Sequence, residues 1–295
     1  MMKIGQLYGI QIRASMLLPL LLIVCFLLGI GAQAVMVFGI LMAHELGHVM
    51  VARYWGIQVK TIDLLPLGGV ARMENIYAGG LKKELTLALA GPGVNFLLAC
   101  VFGLFLYFDF RPEETWVFLW QATLAIGCFN LIPMWPFDGG RILRGILSRF
   151  IGYFYTAKLV FMLGQIGAAF FFIYGAWALH QSWANFHWWV IAAYLFYINE
   201  QEQKMAFISF MSYLTQKEKE IKEDGFLPAS ILIACPQVTL EKIMIRLVPF
   251  RYHLVFVLNH QGQLLGVITE KTMINMIFQG YRDITLEEVL VLTGK

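Results

Sequence analysis

The stretch Ala43-His44-Glu45-Leu46-Gly47-His48-Val49 decides how the rest of this sequence is interpreted. It reads H-E-x-x-H, and residues four apart on a helix lie one above the other on the same face. His44 and His48 can therefore bind one metal ion, with Glu45 beside it to take a proton from a water on that ion. Glu45 is the only formally charged side chain from residue 14 to residue 52. Because ionisable groups in such an apolar run are costly, the sequence predicts a functional metal site inside a membrane helix.

The composition is that of an integral membrane protein. The 295 residues are 59% hydrophobic and only 14% charged, with a mean hydropathy of +0.67, whereas soluble globular proteins carry about 25% charged residues. The formal net charge of +3 is modest, so we expect no nucleic-acid partner. The four cysteines are scattered singly and make no CxxC pair, which favours buried apolar thiols over a disulfide framework.

Six apolar stretches predict transmembrane helices, since a spanning helix needs about 20 apolar residues. We place them at about 15–31, 34–54, 85–108, 116–132, 158–179 and 187–198. Between the second and third, short alternating stretches around Pro66-Leu67-Gly68-Gly69 predict a small membrane-associated β-hairpin or re-entrant loop. The N-terminal apolar run is longer than a signal-peptide h-region and another span follows at once, so we expect no cleavage after Ala34.

Lysine and arginine residues are distributed unevenly among the predicted loops. Eleven lie in the N-terminal segment and in the loops on its side of the membrane, whereas only Arg111 lies on the other side. Because cytoplasmic loops carry the excess of positive charge, both termini are predicted to be cytoplasmic. The two histidines of H-E-x-x-H and Asp138 then lie toward the cytoplasmic ends of the second and fourth spans, at similar depth.

A catalytic zinc site needs three protein ligands and one open position, so a third ligand must come from elsewhere in the chain. Asp138 is the only aspartate flanked by apolar sequence at this depth, and the break between Pro136 and Gly139-Gly140 can direct its carboxylate into the protein. Asp138 can also cap the helix that follows, and the two roles are compatible. Asn130 can donate to an oxyanion or make an interhelical hydrogen bond. Asn95 has the same two interpretations, with the structural one favoured.

The C-terminal part of the chain is more polar. Residues 201–224 predict a charged helical linker, and residues 225–295 predict a small α/β domain. Within that domain we expect helices at 240–247 and 271–279, with strands at 253–258 and 264–268 joined by a turn at 259–262.

Three motifs together resemble the site-2-protease-type intramembrane metalloproteases. They are HELGH on an early span, AGPGVNF at Ala90–Phe96 and NLIPMWPFDGG at Asn130–Gly140, and the resemblance covers residues 1–200. It implies a polytopic α-helical membrane protein in which His44, His48 and Asp138 hold zinc. Glu45 would then be the general base for hydrolysis of a membrane-associated protein near the cytoplasmic face.

Six spans followed by a cytoplasmic CBS-like domain most resemble the bacterial sporulation branch, stage IV sporulation protein FB. That branch implies a substrate like pro-sigma-K and inhibitory membrane partners of the BofA and stage IV FA kind, in the mother-cell or outer forespore membrane. CBS domains of this branch are linked to ATP sensing, which implies a nucleotide at Gly266 and Thr269, although Thr272 stands where the nucleotide pattern has aspartate. CBS repeats normally pair and one copy is present here, which implies a homo-oligomer.

Two other classes of protein stay open. A metal transporter would also place histidines and carboxylates in its spans, but it would carry polar groups along a whole pathway, whereas here they cluster at one depth. A non-enzymatic membrane sensor would explain the CBS-like domain but not H-E-x-x-H. The prediction is therefore a six-helix zinc metalloprotease domain at 1–200, a linker at 201–224 and a CBS-like domain at 225–295.

Overall fold

The computed structural model describes residues 2–7, 10–65, 68–73, 80–111, 113–248, 251–281 and 283–294. The chain forms two compact units. The first contains Met1–Ile76, Lys82–Pro133 and Phe137–Ile142, and the second contains Tyr77–Leu81, Met134–Pro136 and Leu143–Lys295. The predicted domain boundaries at 200 and 224 stay predictions.

The first unit is built on four helices: α1 (Leu17–Leu27), α2 (Gly31–Tyr54), α3 (Gly80–Tyr107) and α4 (Glu113–Asn130). Within the described residues, α2, α3 and one helix of the second unit are long and apolar enough to cross a membrane. The first predicted span is shorter than expected, because α1 has only 11 residues. A helix of that length extends about 16 Å, roughly half the hydrocarbon thickness of a bilayer. The number of six spans therefore stays a prediction.

The chain leaves helical structure where its prolines and glycines predict a break. Helix α4 ends at Asn130, residues 131–137 are irregular, and α5 (Asp138–Ile151) begins at the predicted ligand. A Cβ atom at Gly139 would lie 2.2 Å from the carbonyl oxygen of Leu131, so only glycine allows this close approach. By contrast, α3 continues as a helix through Pro92.

A four-stranded sheet accompanies these helices, with the order β1 (Met2–Leu7), β2 (Ile10–Ala14), β3 (Val59–Leu65) and β4 (Gly68–Met73). Strands β3 and β4 pair antiparallel, which confirms the predicted hairpin; Pro66 and Leu67 of its turn lie outside the described residues. Strands β1 and β2 were not predicted, although the alternation of Ile10, Ile12 and Ala14 is a strand pattern. Strand β2 pairs parallel with β3, and α2 packs against β4.

The second unit contains two long helices, α6 (Tyr153–Gln181) and α7 (His187–Asp224), joined through a short 3-10 turn. Phe171 stacks on Trp188 and Phe172 stacks on Trp189, and these ring pairs stabilise the packing of the two helices near that turn. Helix α7 runs without interruption through the predicted sixth span and the predicted linker, so these two segments form one continuous helix.

The C-terminal α/β part confirms every predicted element. It consists of β5 (Ala229–Ala234), α8 (Leu240–Ile245), β6 (Tyr252–Leu258), β7 (Leu264–Thr269), α9 (Glu270–Phe278) and α10 (Leu286–Thr293). Strand β5 pairs parallel with β6, and β6 pairs antiparallel with β7. Its core includes the fully buried Leu240, Val255 and Met273, and also Tyr153 of α6 and Leu214 of α7. Strand β5 and helix α10 are additions that the sequence did not predict.

Candidate metal centre

The three predicted ligands meet at one point in the first unit. His44 and His48 lie one turn apart on α2, and Asp138 is the first residue of α5. Oδ2 of Asp138 lies 3.1 Å from Nε2 of His44 and 3.0 Å from Nε2 of His48, and the two Nε2 atoms lie 3.1 Å apart. All three residues are buried, with exposed fractions of 3%, 3% and 5%.

This triangle of two nitrogens and one oxygen has nearly the size that zinc requires. With Zn–N distances of about 2.0–2.1 Å and tetrahedral angles, neighbouring ligand atoms are about 3.3 Å apart. The observed separations of 3.0–3.1 Å need to widen by only a few tenths of an ångström. Two histidines, one carboxylate and one free position are the donor set of a catalytic zinc site.

A backbone carbonyl fixes the ring of His48 for metal binding. Nδ1 of His48 donates a hydrogen bond to the carbonyl oxygen of Leu87 on α3, at 2.8 Å. With the proton on Nδ1, Nε2 keeps a free lone pair that faces the other two ligands. The sequence offered no sign of this contact, because every residue carries a backbone carbonyl.

Two glycines allow α2 and α3 to approach closely at the metal centre. A Cβ atom at Gly47 would lie 2.8 Å from the carbonyl oxygen of Ala90. A Cβ atom at Gly91 would lie 2.4 Å from Nε2 of both His44 and His48, so a larger residue would enter the ligand triangle. Glycines in the AGPG segment predict close backbone approach in general, but they do not say which atoms are approached.

Two charged side chains lie beside the predicted ligands. Glu45 is half-buried and close enough to both histidines and to Asp138 to interact with them electrostatically. Nη1 of Arg141, one turn into α5, donates to Oδ1 of Asp138 at 3.4 Å, which leaves Oδ2 for the ion. Arg141 was not predicted as a site residue, although its i,i+3 spacing from Asp138 is a known pairing distance on a helix.

The other predicted site residues lie outside this cluster. Asn130 is half-buried at the end of α4, where its Nδ2 donates to the carbonyl oxygen of Ile126 at 2.9 Å within the same helix. Gly266 and Thr269 belong to the C-terminal part. A Cβ atom at Gly266 would lie 2.7 Å from Leu290, and Thr269 is the N-cap of α9, so both have structural roles there.

The fold and the site define a class of protein: a metallopeptidase whose H-E-x-x-H motif lies on an apolar membrane helix. The sequence pattern of Peptidase family M50 matches residues 32–112 and 108–174, which include all three predicted metal ligands. The site-2 protease from Methanocaldococcus jannaschii has a similar structure, with a TM-score of 0.57 and 31% identity, covering 68% of this chain and 94% of that chain. The chain belongs to Peptidase family M50, the site-2 proteases, and is a membrane zinc metalloprotease.

Two curated relatives extend the comparison. A zinc metalloprotease of Methanocaldococcus jannaschii is 28% identical over 276 residues, which cover 90% of this chain and 77% of the relative. Stage IV sporulation protein FB of Bacillus subtilis is 27% identical over 156 residues, 53% of each chain. The similarity to the first relative extends over most of the chain, and the similarity to the sporulation protein covers about half.

Proposed function

We propose that His44, His48 and Asp138 hold the catalytic zinc and that Glu45 is the general base for hydrolysis of a peptide bond near the cytoplasmic face. The observation that carries the proposal is the convergence of three buried ligand atoms to within 3.0–3.1 Å of one another, on elements 90 residues apart in sequence. Such convergence is costly in a membrane helix unless a cation compensates the carboxylate.

Each residue then has a defined task. When bound, zinc polarises the scissile carbonyl and lowers the pKa of a water molecule. Glu45 accepts a proton from that water and delivers it to the leaving amine. The hydrogen bond from Arg141 to Oδ1 keeps Asp138 turned so that Oδ2 faces the two histidines.

Cleavage of a tethered substrate that stops when a ligand is removed separates this proposal from a transporter. In cells that co-express a membrane-tethered substrate, His44→Ala and Asp138→Ala should lose both zinc and cleavage. Metal content of the purified variants and immunoblots of the substrate measure the two effects. Zinc flux into liposomes carrying the wild-type protein, without cleavage of any tethered substrate, would favour the transporter.

We further propose a substrate similar to pro-sigma-K, the sporulation branch being supported by the similarity to stage IV sporulation protein FB. Inhibitory membrane partners of the BofA and stage IV FA kind, and a location in the mother-cell or outer forespore membrane, belong to the same proposal. Co-expression with pro-sigma-K, without and with those partners, tests it: cleavage should occur in the first case and stop in the second. Cleavage of other tethered proteins but not of pro-sigma-K would remove the sporulation assignment alone.

An extended substrate segment is proposed to pair with the edge strand β4. Among the described strands β4 has a neighbour on one side only, β3, and it packs against the helix that carries the histidines. An edge strand offers free backbone groups to an incoming strand. Val70→Pro on β4 should therefore reduce cleavage while zinc stays at one ion per chain, because proline removes a backbone donor from the edge strand. Val59→Pro on β3 should do the same by weakening the pairing that holds β4 in place. Wild-type cleavage rates in both variants would contradict strand pairing.

Asn130 is proposed as an oxyanion donor. One N–H of its amide group is bonded to the Ile126 carbonyl, and the second N–H can donate to the developing charge. Asn130→Ala should lower kcat about 10²–10³-fold with unchanged zinc content and KM. Gln121→Ala, an exposed change on the same helix, should leave kcat unchanged. A wild-type kcat for Asn130→Ala would leave only the helix hydrogen bond.

The C-terminal α/β part is proposed to join two copies of the chain. The outward face of its sheet exposes Ile231, Ile233 and Leu265 and includes no charged residue on these strands, so a second copy would meet no like charge. The mass of the purified protein, with its detergent subtracted, distinguishes monomer from dimer.

We also propose that ATP binds at Gly266 and Thr269, which equilibrium dialysis with labelled ATP tests.

A further inference from the structure

Three buried polar side chains of the first unit have atoms without a hydrogen-bond partner among the described residues. They are Nδ1 of His44, the hydroxyl of Thr123, and both the oxygen and the nitrogen of the Asn95 amide. Asn95 and Thr123 are fully buried, with exposed fractions of 0%. Buried polar groups are nearly always hydrogen-bonded, so each of these atoms needs an explanation.

Asn95 lies on the side of α3 that faces the metal ligands. It follows Gly91 by four residues, so the two positions lie on nearly the same face one turn apart. A Cβ atom at Gly91 would lie 2.6 Å from Cε1 of His44, the ring atom between Nε2 and Nδ1. Helical side chains lean toward the N-terminus of their helix. The Asn95 amide therefore leans toward the level of the His44 ring.

Thr123 lies on α4, one turn further from the ligands than Asn95. A Cβ atom at Gly127 would lie 3.2 Å from Cβ of Asn95, which places Asn95 against α4 at that level. Thr123 precedes Gly127 by one turn and shares its face. Because α2 also packs against α4, the three unpartnered groups belong to one junction of α2, α3 and α4.

The chemistry of a metal-bound histidine explains why a buried amide lies beside His44. When Nε2 binds the ion, the neutral ring carries its proton on Nδ1, and ligating histidines almost always donate that N–H to a second group. Leu87 provides the acceptor for His48, whereas Nδ1 of His44 has none among the described residues. We propose that Asn95 positions His44: the Nδ1–H of His44 donates to one bridging water, and that water donates to Oδ1 of Asn95. Two polar partners are the minimum that holds a buried water.

This inference rests on the proposed ligand set, and its test does not depend on proteolysis. Asn95→Leu keeps the approximate size and removes the acceptor, so zinc should pass to a chelator about 10–100-fold faster than from the wild-type protein. Asn95→Asp supplies a stronger acceptor and should release zinc as slowly as the wild type. The rates are measured on the purified full chain in detergent with a colorimetric chelator.

Asn199→Leu is the matched control. Asn199 is a fully buried amide in the second unit whose Oδ1 also lacks a partner among the described residues, and its replacement should leave the zinc release rate unchanged. A purely structural role for Asn95 predicts wild-type release from Asn95→Leu, or equally fast release from the Leu and Asp variants, and either result overturns the inference. A raised KM with unchanged zinc release would assign Asn95 to substrate binding and also overturn it. A wild-type chain that binds no zinc would instead disprove the proposed ligands.

Discussion

Glu45→Gln is expected to abolish proteolysis and to leave one zinc ion bound per chain. The glutamine side chain would have the shape of the carboxylate but could not accept a proton from the attacking water, and a general base contributes about 10²–10⁴ in rate. The three proposed ligands are His44, His48 and Asp138, so the substitution leaves the proposed donor set intact. Zinc content by elemental analysis and cleavage of a tethered substrate are measured on the same preparation.

The control for this variant is Glu114→Gln, which makes the same chemical change at an exposed position on α4. It should cleave at the wild-type rate. Full proteolysis by Glu45→Gln would refute the role of Glu45 as base. Loss of zinc together with activity would show that Glu45 supports the metal centre rather than the proton transfer.

The convergence of His44, His48 and Asp138 could be predicted from sequence because its constraints are local or compositional. The i,i+4 spacing of His44 and His48 fixes their shared helix face, and Asp138 is the carboxylate at matching depth next to a helix break. The groups that orient these ligands could not be predicted in the same way. The carbonyl of Leu87 and the N–H groups of Arg141 gain their roles only when α3 and α5 pack against α2.

The fold was predictable where hydrophobic period and turn residues agree. The β3–β4 hairpin, the break after α4 and the C-terminal strands of the α/β part follow such patterns. Strands β1 and β2 were missed because a short basic segment before an apolar run also has the composition of a signal-peptide start. The short helix α1 was predicted to be longer because hydropathy measures how apolar a run is, and not where its backbone turns.

Gly91→Ala is expected to remove zinc from the centre. The new methyl group would lie 2.4 Å from Nε2 of both His44 and His48, well inside van der Waals contact. Gly47 already brings α2 against the Ala90 carbonyl, so the two helices cannot tilt closer together there to relieve the clash at Gly91. Either both rings rotate away or α2 and α3 separate by about 1 Å, a displacement that costs about 10²-fold in activity even when ligands remain. Zinc stoichiometry and cleavage rate should therefore fall together.

Gly93→Ala separates this steric effect from the effect of alanine on the helix. Gly93 lies two residues further along α3, and a Cβ atom there would meet nothing within 4 Å. Both substitutions raise helix propensity by a similar amount, about 1 kcal/mol, so a difference between them reports contact with the ligands. Gly93→Ala should keep its zinc and its activity, and its thermal unfolding temperature should not fall. Stoichiometric zinc in Gly91→Ala would mean that the ion does not lie between the two Nε2 atoms, and the ligand geometry would have to be abandoned.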